Sequence, residues 1–218
     1  MTALLASQVS AQAIAGFSGV YIDRFGFTDN GAKIESELSS ALSATPVISP
    51  NERQVFFDLT GYQQKLKERY PQEQWAAQRE AALQPVIAVW QTGFSDLEFG
   101  QDRSWRWCCV AGKMKLINRT SRDQQVKLDM ILAADNGGNV RVESAFFNEK
   151  IKVDWKGQPF SKTFTLPPGE SAISFSSDAR RVLPPNDFRE LVFRVINFEL
   201  TPAQASSEEK KSRAATGR

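Results

Sequence analysis

Between Gln124 and Leu132 the apolar side chains Val126, Leu128, Met130 and Leu132 fall on every second residue, with Lys127, Asp129 and Ile131 between them. A period of two puts one set on each face of an extended chain, so this stretch is a strand with one face against a core. The same texture runs through the rest of the chain from Pro85 onward. Further strands are expected at Val86 to Trp90, Trp105 to Val110, Lys113 to Asn118, Val140 to Phe146, Ile151 to Trp155, Ser161 to Leu166, Ser171 to Phe175 and Leu191 to Leu200. Turn signals separate them: Asn136-Gly137-Gly138, Lys156-Gly157, Pro167-Pro168-Gly169 and Pro184-Pro185-Asn186. Short strands at this spacing predict two packed antiparallel sheets, a jelly-roll-like β-sandwich, with a closed barrel as the other solution.

The chain before Pro85 has a different rhythm. Gly16 ends a first helix ahead of the apolar run Phe17 to Ile22, and Asp23 stands at the end of that strand. Thr28 or Asp29 can cap a second helix whose Ile34, Leu38 and Leu42 share one face. Gln54 to Leu59 then reads as a strand. Two strands joined by one crossover helix are too few for a complete α/β layer. Residues 1–60 are therefore expected to be a strand-helix-strand remnant of an α/β domain. Residues 61–84, with Tyr62, Leu66, Trp75, Arg79 and Leu83 at helical spacing and Pro71 between two helices, read as a helical connector. The fold class is α+β: this small unit and connector, the sandwich over 85–202, and a solvated tail over 203–218 carrying Lys210, Lys211, Arg213 and Arg218.

Several functions are excluded or disfavoured by what the sequence holds. There is no histidine, which removes Ser-His-Asp triads, Cys-His pairs and most zinc sites. The formal charge of +2 gives no field for a phosphate backbone, so nucleic acid is not an expected partner, and no cofactor or metal site is expected. The two cysteines, Cys108 and Cys109, are adjacent, so neither a disulfide framework nor a redox pair is read from them. No apolar run approaches the roughly 20 residues that span a bilayer. The opening MTALLASQVSAQA has a faint likeness to a signal peptide but no basic start, and a short amphipathic helix is the alternative.

Few residues suggest chemistry. Asp23, at a strand end and followed by Arg24, stands where α/β enzymes hold an acid, although no second carboxylate is fixed beside it and pairing with Arg24 or loop amides is the favoured account. Asn118-Arg119-Thr120 matches a glycosylation acceptor, and Asp135, Asn136 and Asn139 carry oxygens that could bind calcium or simply build a hairpin. The most unusual stretch is Trp90 to Cys109, WQTGFSDLEFGQDRSWRWCC, dense in aromatic and charged residues. Trp105 and Trp107 project to the same face if they lie in one strand. On an open face their rings could stack on sugars while Asp96, Glu98 and Arg106 supply hydrogen bonds; on a closed face they fill the core.

The segments AGFSGVYIDRFGFTDNGAKIESEL (Ala15 to Leu38) and RQVFFDLTGYQQKL (Arg53 to Leu66) resemble the C-terminal end of large bacterial polytopic membrane proteins of the sugar-translocase, phosphoglycerol-transferase-like and sulfatase-like kinds. VWQTGFSDLEF and WRWC (Val89 to Phe99, Trp105 to Cys108) are similar to the start of β-sandwich modules attached to bacterial surface-glycan enzymes and glycosyltransferases. The resemblance spans roughly residues 15–200 and implies an extracytoplasmic α/β edge leading into a terminal sandwich. No sulfatase or phosphatase motif occurs, and the transmembrane helices of those proteins are lacking, so a context is carried over and no catalytic residue. The expectation is a non-enzymatic accessory or carbohydrate-interaction module of a cell-envelope glycan system, periplasmic by the resemblance and cytoplasmic without a leader or parent protein. Its expected partners are an envelope polysaccharide and an integral membrane protein. The alternatives are a fragment of a glycan-active or phosphoglycerol-transferase-like enzyme using Asp23, or a structural lid on a membrane partner.

Overall fold

The computed structural model describes residues 3–100, 102–185 and 187–203, with side chains from residue 8 onward. All but the first residue of the expected tail lies outside the described residues. The chain divides into two compact units, Met1–Gln84 and Pro85–Arg218.

In the first unit, helix α1 (Ala3–Ala15) precedes strand β1 (Gly19–Asp23), helix α2 (Ala32–Leu42), strands β2 (Val47–Ile48) and β3 (Gln54–Asp58), and helices α3 (Thr60–Arg69) and α4 (Gln72–Leu83). Asp29 holds the start of α2, its carboxylate accepting from Gly31 N at 3.0 Å and Lys33 N at 3.0 Å. Leu38 and Leu42 are buried on one face of α2 with Ile34 packed beside them. They meet Val9, Ala13 and Ile14 of α1, Ile22, Val55 and Phe57 of the sheet, and Leu66 of α3. Tyr62, Trp75 and Ala82 pack on the same core, so α3 and α4 belong to this unit rather than forming a free connector. One feature differs from expectation: β1 and β3 run antiparallel, whereas a crossover helix would bring neighbouring strands in parallel. The reason is β2, which pairs antiparallel with β3 on its other edge and turns the chain before β3 begins. No helix among the described residues is long and apolar enough to cross a membrane.

The second unit is a β-sandwich. Its strands are β4 (Ile87–Trp90), β5 (Glu98–Phe99), β6 (Ser104–Cys108), β7 (Ala111–Asn118), β8 (Gln124–Ala133), β9 (Gly138–Ser144), β10 (Asn148–Val153), β11 (Gln158–Leu166), β12 (Gly169–Ser177) and β13 (Phe193–Pro202). Strand β10 pairs with β9, β11 with β8, β12 with β7 and β13 with β6, all antiparallel. These nested pairs alternate between two five-stranded sheets, β10-β9-β12-β7-β4 and β11-β8-β13-β6-β5, which is jelly-roll topology. Val126, Leu128, Met130 and Leu132 all face the core, opposite Met114, Leu116, Val140, Val142, Ile173 and Phe175 of the other sheet. Burying these side chains supplies the main stabilisation, of order 1.5–3 kcal/mol for each large apolar group.

Asn118 closes one end of the sandwich. It is 2% exposed, and its amide donates to Arg122 O at 2.8 Å and Leu166 O at 3.0 Å. Its Oδ1 accepts from Thr120 N at 3.1 Å, Thr120 Oγ1 at 2.7 Å and Gln124 Nε2 at 3.1 Å. In the glycosylation-like triplet Asn118 and Thr120 are thus buried, Arg119 is exposed, and the Asn118 amide is fully used.

Candidate functional site

Register decides which way β6 presents its side chains. Cys108 lies opposite Phe193, Trp107 opposite Arg194, Arg106 opposite Val195 and Trp105 opposite Ile196. Phe193, Val195 and Cys108 belong to the core, so Trp105 and Trp107 both stand on the outer face of their sheet. The two-residue spacing thus put both rings on one face.

The face treats the two rings differently. Arg194, from the neighbouring strand, lays its guanidinium 4.8 Å from the Trp107 ring, and Trp107 is only 9% exposed. The Arg194 side chain pairs in turn with the Asp135 carboxylate. Trp105 is half-buried and open to a groove of about 450 Å³ lined by Arg103, Trp105, Trp155, Lys156, Arg194 and Ile196. The second aromatic of this groove is therefore Trp155, 66% exposed, and not Trp107.

Trp155 is placed by a tight turn between β10 and β11. Asp154 Oδ1 accepts from Lys156 N at 2.9 Å and Gly157 N at 3.2 Å. Gly157 adopts φ +88°, and a Cβ there would come within 2.5 Å of Ile131 Cγ2. The turn thus sits directly on the outer face of β8, and only glycine permits that approach. Sequence reasoning read Lys156-Gly157 as a turn and Trp155 as the end of a strand over Ile151 to Trp155, but the strand ends at Val153 and Trp155 lies within the turn. The signal available was a large apolar residue inside a polar turn, where burial cannot be its purpose.

The other sequence candidates separate. Glu98, opposite Trp105 on the edge strand, accepts from the indole Nε1 at 3.2 Å and from Arg189 Nη1 at 2.6 Å. Glu98 therefore orients Trp105. Arg189 also forks onto Asp187, whose carboxyl it holds at about 2, while the two acids raise the Arg189 guanidinium. Arg106 has the opposite parity to Trp105: it donates to Ser95 O at 2.8 Å, lies 5.5 Å from the Trp90 ring, and meets Trp105 only in a smaller recess of about 130 Å³ that Trp90 and Leu97 also line. Asp96 is exposed in the loop before β5, where its carbonyl accepts from Ser95 Oγ at 2.9 Å. Asp96 and Arg106 are not brought into the groove.

Asp23 is engaged by Arg53, which donates to it at 2.6 Å, and by Phe25 N at 3.1 Å; Arg24, the expected partner, forks onto Glu35 at 2.7 and 2.8 Å instead. The Arg53 hydrogen bond holds the Asp23 carboxyl below its usual range, which suits an ion pair and opposes service as a proton donor. Around Asn136, the oxygens disperse: Asp135 serves Arg194, the Asn136 amide donates to Arg180 O and Arg181 O, and Asn139 donates to Asp178. No group of three or more metal-ligating side chains occurs among the described residues. Cys108 is fully buried and Cys109 half-buried, both free, and burial pushes the Cys108 thiol well up.

The sequence matches no family model and no curated protein. Among solved structures, the chain is similar to a carbohydrate-binding module of Cellvibrio mixtus lichenase 5A in complex with cellotriose, at 10% identity over 54% of this chain and 98% of that one, with a TM-score of 0.33. It is similar to a family 35 carbohydrate-binding module from Clostridium thermocellum at 11% identity, over 56% of this chain and 95% of that one, with a TM-score of 0.31. A Podospora anserina β-(1,4)-mannanase is similar at 13% identity over 55% of this chain and 28% of that one, with a TM-score of 0.35.

Proposed function

We propose that the second unit is a carbohydrate-interaction module that holds a polysaccharide in the groove between Trp105 and Trp155, as an accessory part of an extracytoplasmic glycan system. The observation that carries this reading is a pair of indoles opening onto one groove of a rigid sheet, bordered by side chains that donate hydrogen bonds. A pyranose presents an apolar C–H face and a rim of hydroxyls. Indoles meet the first and Arg or Lys side chains meet the second, with little conformational entropy lost on a preformed sheet. Trp105 is oriented beforehand by its bond to Glu98, and Trp155 by the turn at Asp154. The cell-envelope setting rests on the resemblance of residues 15–200 to the terminal parts of polytopic envelope proteins.

The test is titration of the full chain with a panel of soluble polysaccharides, followed by tryptophan fluorescence and calorimetry. Binding by the native chain, with Trp155→Ala and Trp105→Ala each losing at least about tenfold in affinity, is the expected result. Retention of full affinity by both folded variants would refute the assignment of the groove.

A further inference from the structure

We propose that this groove selects acidic glycans, taking a pyranose ring against its indoles and that sugar's carboxylate on Arg103 and Lys156, beside Arg194. The inference rests on the carbohydrate reading above and adds the class of sugar.

Three of the six lining residues are cations and none is an acid, in a chain whose formal charge is only +2. Positive charge is thus concentrated here rather than inherited from a basic surface. Elsewhere on the outer faces three cations are neutralised by neighbouring carboxylates: Lys127 pairs with Asp129, Lys115 with Glu170 and Arg141 with Glu143. Arg103 and Lys156, both exposed, make no ion pair with any described residue.

Lys156 is instead held with its Nζ 5.6 Å from the Trp155 ring, which keeps its charge beside the indole a sugar would stack on. Arg194 is compensated by Asp135 alone, and its Nε is shielded without an acceptor among the described residues. A carboxylate in the groove would find planar guanidinium groups on the sheet side and an ammonium on the turn side, an arrangement that favours a delocalised anion over a neutral hydroxyl. Neither cation is needed for folding, because both side chains project from the surface.

The experiment compares polygalacturonate oligosaccharides, the same oligosaccharides with their carboxyls reduced to alcohols, and polyglutamate, each titrated calorimetrically into the full chain at low and moderate salt. The native chain is expected to bind the uronate at least about tenfold more tightly than the reduced form, with the ratio shrinking as salt screens the charges. The variant carrying Arg103→Gln and Lys156→Gln is expected to bring the two affinities within about threefold, because the uronate loses far more affinity than the reduced form does. Equal binding of uronate and reduced oligosaccharide by the native chain would overturn acid selection and leave the carbohydrate reading intact. Binding of polyglutamate as tight as that of uronate would overturn it too, since charge alone would then suffice. Absence of binding to either sugar would remove the carbohydrate reading and this inference together.

Discussion

Replacing Asn118 with alanine removes a single buried amide that serves five hydrogen-bonding groups at one end of the sandwich. Its two amide hydrogens are spent on the carbonyls of Arg122 and Leu166, and its oxygen takes Thr120 N, Thr120 Oγ1 and Gln124 Nε2. A net bond contributes about 1 kcal/mol, and a buried partner left bare costs about 1–3 kcal/mol more. Thr120 Oγ1 keeps a bond to Arg122 O at 2.9 Å, and Gln124 Nε2 keeps one to Thr120 Oγ1 at 3.2 Å, so those two groups are not orphaned. Leu166 O and Thr120 N lose their bonds to the amide outright, and the loss should come to about 3–5 kcal/mol. With a urea dependence of about 1–3 kcal/mol per molar, the midpoint should fall by roughly 2 M. Four of the five tryptophans lie in the second unit, so a Trp75→Phe background makes fluorescence report the sandwich alone. A loss below about 1 kcal/mol would show that water replaces the amide freely and that this end of the sandwich is not closed.

Leu128→Ala should cost about 2–5 kcal/mol in the same urea assay, since Leu128 is wholly buried; a loss well under about 1 kcal/mol would mean that the inner face of β8 is misassigned. Carbon-13 NMR should find Asp187 titrating at about 2, and Arg189→Ala should return it toward the ordinary aspartate value near 3.9. Because this carboxyl is depressed in the folded state, its contribution to stability is present above the unfolded value near 3.9 and is lost as pH falls toward 2; a native titration near 4 would refute the pairing. A maleimide should label Cys109 in the native protein and Cys108 only after unfolding, as read by intact mass; rapid double labelling of folded protein would contradict the burial of Cys108.

The sandwich was legible because its evidence is local. An alternation such as Val126 to Leu132 can only be a half-buried strand, and Pro-Pro-Gly or Asn-Gly-Gly can only be turns. The shared face of Trp105 and Trp107 was legible for the same reason. What covers one of them was not: Arg194 reaches Trp107 through the β13–β6 pairing, which joins segments almost ninety residues apart and leaves no periodic mark. Trp155 was read as a strand end and not as a site residue, because its meeting with Trp105 exists only once the nested strand pairs are formed. In the first unit the same limit hid the antiparallel course of β1 and β3, because a strand-helix-strand pattern does not state strand direction.

Strand β13 changes register between Ile196 and Glu199, with Asn197 at φ +48° as the extra residue. Ile196 still faces the groove, while Phe198 and Leu200 still pack on the core, so without Asn197 the inside-outside order along the strand would be unbroken. The inserted residue ends the ladder with β6 at Trp105, and its side chain then accepts Ser104 N at 3.0 Å in place of a ladder bond. The segment carrying Arg103 parts from β13 at this point and stays bonded only to the β5 side, through Gly100 N to Arg103 O at 2.8 Å. The place where the groove's rim begins is therefore set by one inserted residue in β13 and by the bond its side chain makes. Deleting Asn197 is thus the one-residue change in β13 that would redraw this rim while Phe193, Val195, Phe198 and Leu200 keep their inward parity.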